Sequence, residues 1–423
     1  MSSVAYSADN GPDAADGLPE FIAPVPRVSI QAFCVSEATA RTLQAVGSDR
    51  RLARAHFTVQ MGGIDGAIDF YESAPTPNLI MLEVQNGADA ILADIARLAE
   101  VCDAGTKVIL IGHVNDVLLY RELMRRGVSE YLVAPLQVVS TIETIASLYA
   151  NPEAEPVGRV VAFYGAKGGC GSSSIAHNSG WTISQMLGTD VIMADLDLAF
   201  GTGALDFNQD PTQGLVEAVY APDRLDDVML DRLLTKCDEH FSLFAASCSL
   251  EREYDLDAQS YNSVLDVVRK SVPTVVLDVP HMWSGWVKNV LLQADEVVIT
   301  AEPDLASLRN TKSLIELVRQ ARPNDRPPHL ILNKVGIPKR PEISPKDFGD
   351  AVDLEPTTTI AFDPQLFGNA ANNGQMISEV QANAKPIEAF THLAKLVTGK
   401  SEAKREKRSV LSPFLTKLKR KSK

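Results

Sequence analysis

The sequence predicts an α/β protein in which two domains each fold around a doubly wound, mostly parallel sheet. Short apolar runs such as NLIMLEV and TVVLDVP alternate with amphipathic stretches such as EATARTLQAVG, the order expected of strands and helices along a parallel sheet. The Val, Ile and Leu runs are nearly continuous, which is typical of strands buried on both faces. A stretch with two prolines and two acids, NPEAEPVG, separates two such patterns and predicts a linker between the domains.

The chain of 423 residues is long enough for two or three domains. Its first residues are rich in Ala, Asp, Gly and Pro and show no periodicity, which predicts a disordered leader. The predicted segments, in order, are a leader over 1–26, a smaller domain over 27–150, a linker over 151–158, a larger domain over 159–398 and a basic tail over 399–423.

Composition argues against several classes of protein. Hydrophobic residues make up 45% of the chain, enough for a sizeable core. No apolar run reaches the roughly 18 residues of a membrane span, and the N-terminus lacks the features of a secretory signal, so we expect a cytoplasmic protein. The cysteines are scattered without a C-x-x-C pair, which favours reduced thiols over disulfides or zinc. A formal net charge of −14 disfavours binding of nucleic acid across the whole surface.

The smaller domain has predicted strands at VSIQAFCV, NLIMLEV, KVILIG and EYLVA, and its pattern resembles the flavodoxin-like fold of response-regulator receivers. Glu83 stands where a receiver has the Asp that is phosphorylated. Ala134, just before Pro135, stands where a receiver has the Lys of its Lys-Pro pair. The stretch IQAFCVSE also lacks the acidic pair that would hold Mg²⁺. The resemblance implies a degenerate receiver-like domain without phosphotransfer, used for docking or dimerisation. A generic small α/β domain would have a similar consequence.

The larger domain opens with a glycine-rich loop between a strand, VVAFY, and a helix, IAHNSGWTISQML. Glycines let backbone N–H groups wrap around phosphate oxygens, and the helix N-terminus adds the positive end of a dipole. We therefore expect nucleotide binding here, although a glycine-rich turn without a ligand is the alternative. The residues expected to contact the nucleotide in this loop are Ala166, Lys167, Gly168, Gly169, Cys170, Gly171, Ser172, Ser173 and Ser174.

This loop departs twice from the G-x-x-x-x-G-K-[ST] pattern of a phosphate-binding loop. Ala166 takes the first glycine position and Ser172 takes the lysine position, while Ser173 keeps the hydroxyl that can ligate Mg²⁺. A lysine there neutralises charge on the β- and γ-phosphates as the bond breaks, and Ser172 supplies no positive charge. Losing one such donor lowers a rate by ~10²-fold or more, so we expect nucleotide binding with slow turnover.

Three acids close two of the predicted strands of the larger domain. Asp195 and Asp197 end IMADLD, and their i, i+2 spacing points both carboxylates the same way, as a magnesium or water site requires. A loop-capping role is the plainer interpretation. Asp278 follows three apolar residues in TVVLDVP, where an unpartnered acid would be costly, so we expect a functional partner. The expected metal ligands are Ser173, Asp195 and Asp278, and Asp197 is expected to orient the attacking water.

Lys167 and the two glycines after it give K-G-G-x-G, which resembles the deviant Walker A loop of the MinD/ParA family. That family has a doubly wound P-loop NTPase fold, and its lysine at this position reaches across a dimer interface to the nucleotide of the partner. The resemblance implies a homodimer that binds ATP and Mg²⁺, with catalytic roles for Lys167 and Asp197. Asp195 and Asp197 resemble the D-x-D switch of the family, Asp278 its Walker B acid, and Asn333 in LILNKVG its adenine-contacting Asn. An Asn at a strand end is also a common turn residue.

Four stretches, KGGCGSSSIAHN, DVPHMWSGW, QADEVVITAEPDLASLRN and LILNKVG, are together similar to the pilus-assembly branch of that family, called CpaE or TadZ, which serves Flp-type (Tad) pili. The similarity covers roughly residues 159–397, and loss of the conventional lysine also resembles this branch. It implies a positioning factor on the inner face of the cytoplasmic membrane that marks a membrane or polar site. The implied partners are the pilus secretion machinery: a secretin, a secretion ATPase or inner-membrane components.

The tail differs in charge from the rest of the chain, since residues 400–423 hold ten Lys or Arg and two Glu, a local net charge of +8. Pro413 suits the first turn of a helix, after which Phe414, Leu415 and Leu418 share one face. A basic amphipathic helix over 409–423 predicts binding to an anionic membrane surface, a use that MinD-type relatives make of their C-terminal helix. A solvated tail is the alternative.

Two other functions stay open at this point. A nucleotide-free scaffold is favoured by Ser172 and Ala166, which remove features of a working loop. A DNA-partitioning ParA-type ATPase could place its basic tail on DNA, but the acidic balance of the whole chain counts against DNA as a partner.

Overall fold

The computed structural model describes residues 21–86, 88–150, 157–246, 248, 250, 254 and 257–399. They form two α/β units with mostly parallel sheets, which confirms the predicted fold class. Most of the predicted leader and linker, and the predicted basic tail from residue 400 onward, lie outside the described residues. Within the predicted leader, Ile22 and Val25 are buried, and the Val25 N–H donates to the Arg51 carbonyl at 2.8 Å. Packing therefore includes residues before position 27.

The first unit is a five-stranded parallel sheet in the order β2-β1-β3-β4-β5. Its strands are β1 (Ser29–Cys34), β2 (His56–Met61), β3 (Leu79–Glu83), β4 (Lys107–Gly112) and β5 (Glu130–Val133). Its helices are α1 (Glu37–Gly47), α2 (Gly63–Tyr71), α3 (Ala88–Val101), α4 (Val117–Arg125) and α5 (Val138–Tyr149), with a 3₁₀ turn at Arg50–Leu52.

Helices cover both faces of this sheet, as side-chain alternation along β3 makes clear. Leu79 and Met81 belong to one hydrophobic cluster, and Ile80 and Leu82 belong to the other. Successive strand residues point to opposite faces, so each face buries its own core. This is why NLIMLEV reads as one unbroken apolar run.

The second unit is an eight-stranded sheet in the order β13-β12-β11-β6-β10-β7-β9-β8, parallel except for the antiparallel pair β8 and β9. Its strands are β6 (Arg159–Gly165), β7 (Val191–Asp195), β8 (Thr235–Asp238), β9 (Phe241–Phe244), β10 (Thr274–Val279), β11 (Glu296–Ala301), β12 (His329–Val335) and β13 (Thr358–Ala361).

Helices flank this second sheet on both faces, and two separate hydrophobic clusters fill the space beneath them. These helices are α6 (Ser172–Leu187), α7 (Gly203–Asp206), α8 (Leu215–Tyr220), α9 (Asp227–Leu233), α10 (Ala258–Ser271), α11 (Gly285–Gln293), α12 (Leu305–Ala321), α13 (Pro345–Val352), α14 (Pro364–Asn373), α15 (Ile377–Val380) and α16 (Lys385–Thr398), with a 3₁₀ turn at Pro222–Arg224. The clusters together hold most of the buried apolar side chains of this unit.

The sequence predicts five strands in the larger domain, at RVVAFYG, DVIMADLD, PTVVLDVP, EVVITAEP and HLILNKVG, and all are present, as β6, β7, β10, β11 and β12. The prediction missed β8, β9 and β13. Each of these strands is four residues long, and they form the ends of the sheet, where fewer apolar residues are needed. β6 lies near the middle, with β10 on one side and β11 on the other. In a doubly wound parallel sheet, a crevice forms at the carboxyl edge where the connections from two neighbouring strands run to opposite sides of the sheet. The glycine loop follows β6 at this edge.

Buried ion pairs join the two units. Arg50, in the 3₁₀ turn after α1, lies 2.9 Å from Asp295 Oδ1 and 2.7 Å from Asp325 Oδ2. Arg51 and Arg322 also contact Asp325. Burial alone would raise the pKa of Asp325, but the guanidinium groups of Arg50, Arg322 and Arg51 hold it below its usual range. A buried charge without a partner is costly, so each group in this network depends on the others.

None of the helices in the described part of the chain combines the length and the apolar character that crossing a bilayer would require.

Candidate functional site

The glycine loop and the first turn of α6 form one wall of a cavity of about 440 Å³ at the carboxyl edge of the second sheet. Most of the residues predicted from the sequence line this cavity: Lys167, Gly169, Cys170, Gly171, Ser172, Ser173, Ser174, Asp197, Asp278 and Asn333. Ala166 and Asp195 are buried next to it and do not line it. Gly168 is part of the loop, and a Cβ there would meet the His281 ring at 3.5 Å.

Two glycines give the loop its shape. Gly169 and Gly171 have φ angles of 77° and 91°, in the left-handed region that side chains disfavour. Gly171 is also the N-cap of α6, and a Cβ on it would lie 2.5 Å from the Asn333 side-chain nitrogen. Glycine at this position therefore serves both the turn and the close approach of Asn333.

Ser172 occupies the place where the conventional lysine is expected and is the first residue of α6. Its Oγ is buried and finds no hydrogen-bond partner among the described residues. An orphaned hydroxyl is costly unless a ligand satisfies it, and this one lies at a helix N-terminus, where backbone N–H groups and the helix dipole favour an anion. The position fits a phosphate oxygen.

Lys167 is bound within its own chain. Its ammonium lies 3.1 Å from Glu302 Oε2 and 2.5 Å from Asp304 Oδ2, both just after β11. The hydrogen bond to Asp304, together with that to Glu302, raises the pKa of Lys167 despite partial burial. Glu302 also pairs with Lys334 at 3.0 Å and Arg340 at 2.9 Å, so one carboxylate gathers three cations.

The sequence reasoning did not single out Glu302 or Asp304, although both lie in a stretch quoted for the family resemblance. A usable signal was present, since acids that follow a strand of a parallel sheet lie at the same edge as the glycine loop. These two acids define what Lys167 does in a single chain.

Asn333 also contacts the loop directly. It is buried, and its Nδ2 donates a 2.8 Å hydrogen bond to the Cys170 carbonyl. The neighbouring Lys334 donates to the Gly169 carbonyl. The end of β12 thus braces the glycine loop, and Asn333 lines the cavity where the resemblance implies adenine contact.

Asp195 and Asp278 are paired in register on neighbouring strands β7 and β10. Asp195 accepts backbone N–H bonds from Asp197 at 3.1 Å and from Gly203 at 2.9 Å, and it is almost fully buried. Burial and the neighbouring Asp278 charge raise the pKa of Asp195 well above its usual range. Asp278 keeps one oxygen, Oδ1, without a hydrogen bond to any part of the chain that the structure describes.

Asp195 and Asp197 do not lie on one strand. β7 ends at Asp195, and Asp197 lies in the following loop, where its Oδ1 accepts from the Phe200 N–H at 3.0 Å. The i, i+2 rule holds only inside a strand, so it fails for a residue beyond the strand end. The result is one buried acid beneath the cavity and one acid on its wall.

His177 was missed by the sequence reasoning, although it lies four residues after Ser173 on α6. It is fully buried; Nδ1 is 2.7 Å from Asp206 Oδ2 and Nε2 is 3.3 Å from Asp278 Oδ2. Burial alone would lower the pKa of His177, but Asp206 and Asp278 raise it well above its usual range. An i, i+4 spacing from a metal-position serine was the available signal.

The site passes a simple test of fit for a metal-bound nucleotide. An orphaned hydroxyl and a helix N-terminus at Ser172 fit phosphate, and an unpaired carboxylate oxygen of Asp278 beside the buried Asp195 fits a divalent cation. Ser173 lines the same cavity. The donor set is therefore suited to an anion and a cation side by side.

The corresponding place in the first unit has a different chemistry. Glu83, at the end of β3, is fully buried and accepts hydrogen bonds from the N–H groups of Val35 and Ser36, both at 2.7 Å, and from the hydroxyls of Ser36 and Thr39. Burial raises the pKa of Glu83, but these hydrogen bonds bring it below its usual value. The carboxylate is fully engaged in holding the β1–α1 loop.

Comparisons with known proteins found one matching family and several relatives. A family described as an AAA domain matches residues 158–329. The septum site-determining protein MinD of Synechocystis is 24% identical over 250 residues, which is 57% of this chain and 90% of that protein. The structure of a pilus assembly protein CpaE from Caulobacter crescentus is 46% identical, covers 31% of this chain and all of that chain, and has a TM-score of 0.30. MinD from Pyrococcus horikoshii, complexed with Mg-ADP, is 20% identical over 57% of this chain and 96% of that chain, with a TM-score of 0.51.

The match to CpaE falls on the receiver-like unit, and the match to MinD falls on a fold of the P-loop type.

Proposed function

This chain belongs to the CpaE-type pilus assembly branch of the MinD/ParA family, and from that premise we propose that it is a nucleotide-dependent positioning and assembly factor for Flp (Tad) pili. It binds ATP in a dimer, hydrolyses it slowly or not at all, and marks a membrane or polar site for the pilus secretion machinery. Its proposed role is to mark where in the cell the pilus machinery assembles.

The observation that carries this proposal is the orphaned Ser172 hydroxyl at the N-terminus of α6. A glycine loop with two left-handed residues exposes backbone N–H groups to the cavity, and a helix dipole adds to them. Together these features bind phosphate without a lysine. Ser172 offers one neutral hydrogen bond, so binding is retained while stabilisation of the transferring phosphoryl group is weak.

Mg²⁺ fits beside the phosphates. Ser173 and Asp278 line the cavity and would hold the ion, with Asp195 beside Asp278 on the neighbouring strand. When bound, Mg²⁺ neutralises charge on the β- and γ-phosphates. Asp197 lies on the cavity wall, where it is suited to orient water.

Lys167 links the nucleotide to the dimer. We infer that it reaches the nucleotide of a partner subunit, and in doing so it must leave Glu302 and Asp304. Both carboxylates are partly buried. When Lys167 leaves, Lys334 and Arg340 remain paired with Glu302 and compensate its charge. The contact of Lys167 with the nucleotide of the partner subunit thus competes with the ion pair that Lys167 makes inside its own chain.

The receiver-like unit acts by docking. Glu83 is engaged by the β1–α1 loop, which supports a domain that transfers no phosphate. The buried ion pairs around Asp325 support a fixed arrangement of the two units, so a partner bound to the first unit can sense the second. The proposed partners are the secretin, the secretion ATPase or inner-membrane components of the pilus machinery. The proposed contact with an anionic membrane at 409–423 lies outside the described residues.

A titration of the full chain with ATP and Mg²⁺, followed by a mass measurement in solution, tests this proposal. We expect saturable ATP binding and a shift from monomer to dimer in the same range of concentration. Ser173→Ala is the matched loss variant, because it removes only the metal-position hydroxyl. A loop that stays unliganded at millimolar ATP would overturn the proposal and leave the nucleotide-free scaffold as the function.

A further inference from the structure

A second cavity lies between the two units and shares no lining residue with the cavity at the glycine loop. Its volume is about 620 Å³, compared with about 440 Å³ for the nucleotide cavity. One wall comes from the segment before β1 and from the 3₁₀ turn after α1, and the opposite wall comes from α10 and α11. Pockets for small molecules span about 300–1,000 Å³, so a ligand as large as a nucleotide would fit here.

The lining of this interdomain cavity is strongly basic, although the chain as a whole has a formal net charge of −14. Only one carboxylate, that of Asp266, is among the described residues that line it. The cations that line it are Arg27, Arg50, Arg54, Arg269 and Lys270. A cleft lined by charges of one sign concentrates the opposite charge, so this cavity attracts anions.

The acids behind the lining compensate only part of this charge. Asp295 is shared by Arg50 at 2.9 Å and Arg269 at 2.8 Å, and Asp325 is shared by three arginines. Burial lowers the pKa of Arg269, and the Arg50 charge lowers it further, although Asp295 acts in the opposite direction. Burial also lowers the pKa of Arg54, and the Arg269 charge adds to this effect. The guanidinium groups therefore repel one another across the cavity wall.

Two of the five cations have no carboxylate at all within the part of the chain that the structure describes. Arg27 lies before β1, and Lys270 lies in the last turn of α10; both are exposed, and neither forms an ion pair or hydrogen bond with a described residue. They face the cavity from opposite units. An anion bound between them would receive charge-assisted hydrogen bonds from both sides.

Neutral donors on α10 extend the basic lining. Gln259, Asn262, Asp266 and Arg269 are spaced three or four residues apart, so they share one face of the helix, and all line the cavity. The Asn262 Oδ1 accepts a 2.8 Å hydrogen bond from Asn289, which fixes the amide and leaves its Nδ2 to donate to a ligand. Amide donors beside guanidinium groups suit an anion with many acceptor oxygens.

We propose that the interdomain cavity binds a soluble small molecule carrying two or more phosphate groups, held by Arg27 and Arg54 from the first unit and by Lys270 from the second. Guanidinium groups match phosphate oxygens in pairs, and Arg54 has donors to spare beyond its pair with Asp266. Such a ligand contacts both units and strengthens their contact. This inference goes beyond the proposed function, because it gives the receiver-like unit an input that requires no phosphorylation.

A calorimetric titration of the full chain with inorganic tripolyphosphate tests this site. The protein carries Ser172→Asp, which places a negative charge at the proposed phosphate position of the glycine loop and keeps the probe away from it. We expect saturable binding of one equivalent, and a loss of about tenfold or more in affinity when Arg27→Gln or Lys270→Gln is added. Lys312→Gln is the matched control, because Lys312 is an exposed lysine of α12 that lines neither cavity.

The absence of binding in the Ser172→Asp protein would overturn the proposal, and so would equal affinities in the Arg27, Lys270 and Lys312 variants. Two acids of the predicted linker, Glu153 and Glu155, precede the cavity residue Val157 in the sequence. Binding that appears only after Glu153→Gln and Glu155→Gln would also overturn it, because the chain itself would then supply the anion. An ATP titration of the protein with Ser172 intact reports separately on the glycine loop, so the proposed function and this site can fail independently.

Discussion

Asp304 accepts a 2.5 Å hydrogen bond from Lys167, the residue whose position in the glycine loop suggests a role in a neighbouring subunit. A lysine held in this way is not free to reach a partner. In the proposed dimer, Lys167 would therefore have to break a contact that the single chain makes with itself.

We expect Asp304→Asn to favour the ATP-dependent dimer. Asn retains the N-cap of α12, where Asp304 now accepts from the Ser307 N–H at 2.8 Å, so the helix should stay intact. Partly exposed ion pairs stabilise by about 0.2–1 kcal/mol each, and the dimer releases one pair from each subunit, so its association constant should rise by up to about 30-fold. Light scattering with and without ATP measures it.

Asp353→Asn is the matched control for that experiment, because it removes a surface carboxylate paired with Arg319 far from the loop. An Asp304→Asn protein that dimerises no better than this control would show that the pair with Lys167 does not restrain the dimer.

Ser172→Lys should raise ATP turnover by ten-fold or more if the rest of the site is intact, since one charged donor at the phosphates contributes about 10² in rate. Release of inorganic phosphate measures the effect. Ser174→Lys places the same charge two residues along α6, on the same cavity, and should not raise turnover. Equal rates for all three proteins would mean that the site lacks more than this lysine.

Much of the second domain could be predicted from the sequence because its signals are local. The five long strands are continuous apolar runs, and the glycine loop lies between a strand and a helix, so the position of Ser172 and Asp278 at one sheet edge followed directly. Asp197 lines the cavity, but it lies beyond the end of β7, so the alternation of side chains along a strand does not predict its position.

The parts that could not be predicted depend on contacts between distant segments. His177 faces Asp206 and Asp278 because α6 packs over β10, and no spacing in the sequence brings those acids to it. Lys167 meets Glu302 for the same kind of reason, 135 residues away. Pairings of this range arise only when the order of the strands is known.

Glu83→Ala should destabilise the receiver-like unit. We expect no phosphorylation of this unit in either protein. The change removes the acceptor of the buried Thr39 hydroxyl and of the part-buried N–H groups of Val35 and Ser36, and a buried group left unpaired costs about 1–3 kcal/mol. Thermal unfolding measures the loss. Incubation of the unaltered protein with acetyl phosphate should give no acyl phosphate by mass, and a labelled Glu83, or a labelled aspartate in residues 27–150, would contradict the docking role.

Asp325→Asn should weaken the contact between the two units. It leaves Arg50, Arg51 and Arg322 buried with less compensation, and breaking a buried pair in this way costs about 3–5 kcal/mol. Limited proteolysis between the units and thermal unfolding report on the loss. Asp353→Asn again serves as the control carboxylate.

The Asp325 carboxylate gives the stability of the protein a pH dependence. Its pKa is held below the ordinary value of 3.8, so its contribution to stability is fully present above about pH 4 and is lost as the pH falls through the folded pKa. The unaltered protein should lose melting temperature on acidification below pH 4, and Asp325→Asn should lose less over the same range. Parallel acid curves for the two proteins would exclude Asp325 as the group responsible.

Lys167 and the C-terminal tail should act together in membrane binding. A single short amphipathic helix binds a membrane only marginally, and stable attachment usually takes two signals. Two tails in one dimer raise the combined hold through effective concentration, so membrane binding should follow dimerisation. Lys167→Ala should reduce ATP-dependent binding to anionic liposomes although the tail is unchanged, and removal of 409–423 should abolish it. A co-sedimentation assay with and without ATP measures both, with neutral liposomes as the control surface. A Lys167→Ala protein that binds anionic liposomes as tightly as the unaltered chain would contradict the proposed link from nucleotide through dimer to membrane. If removal of the tail abolishes DNA binding while liposome binding persists, the result would favour the partitioning function instead.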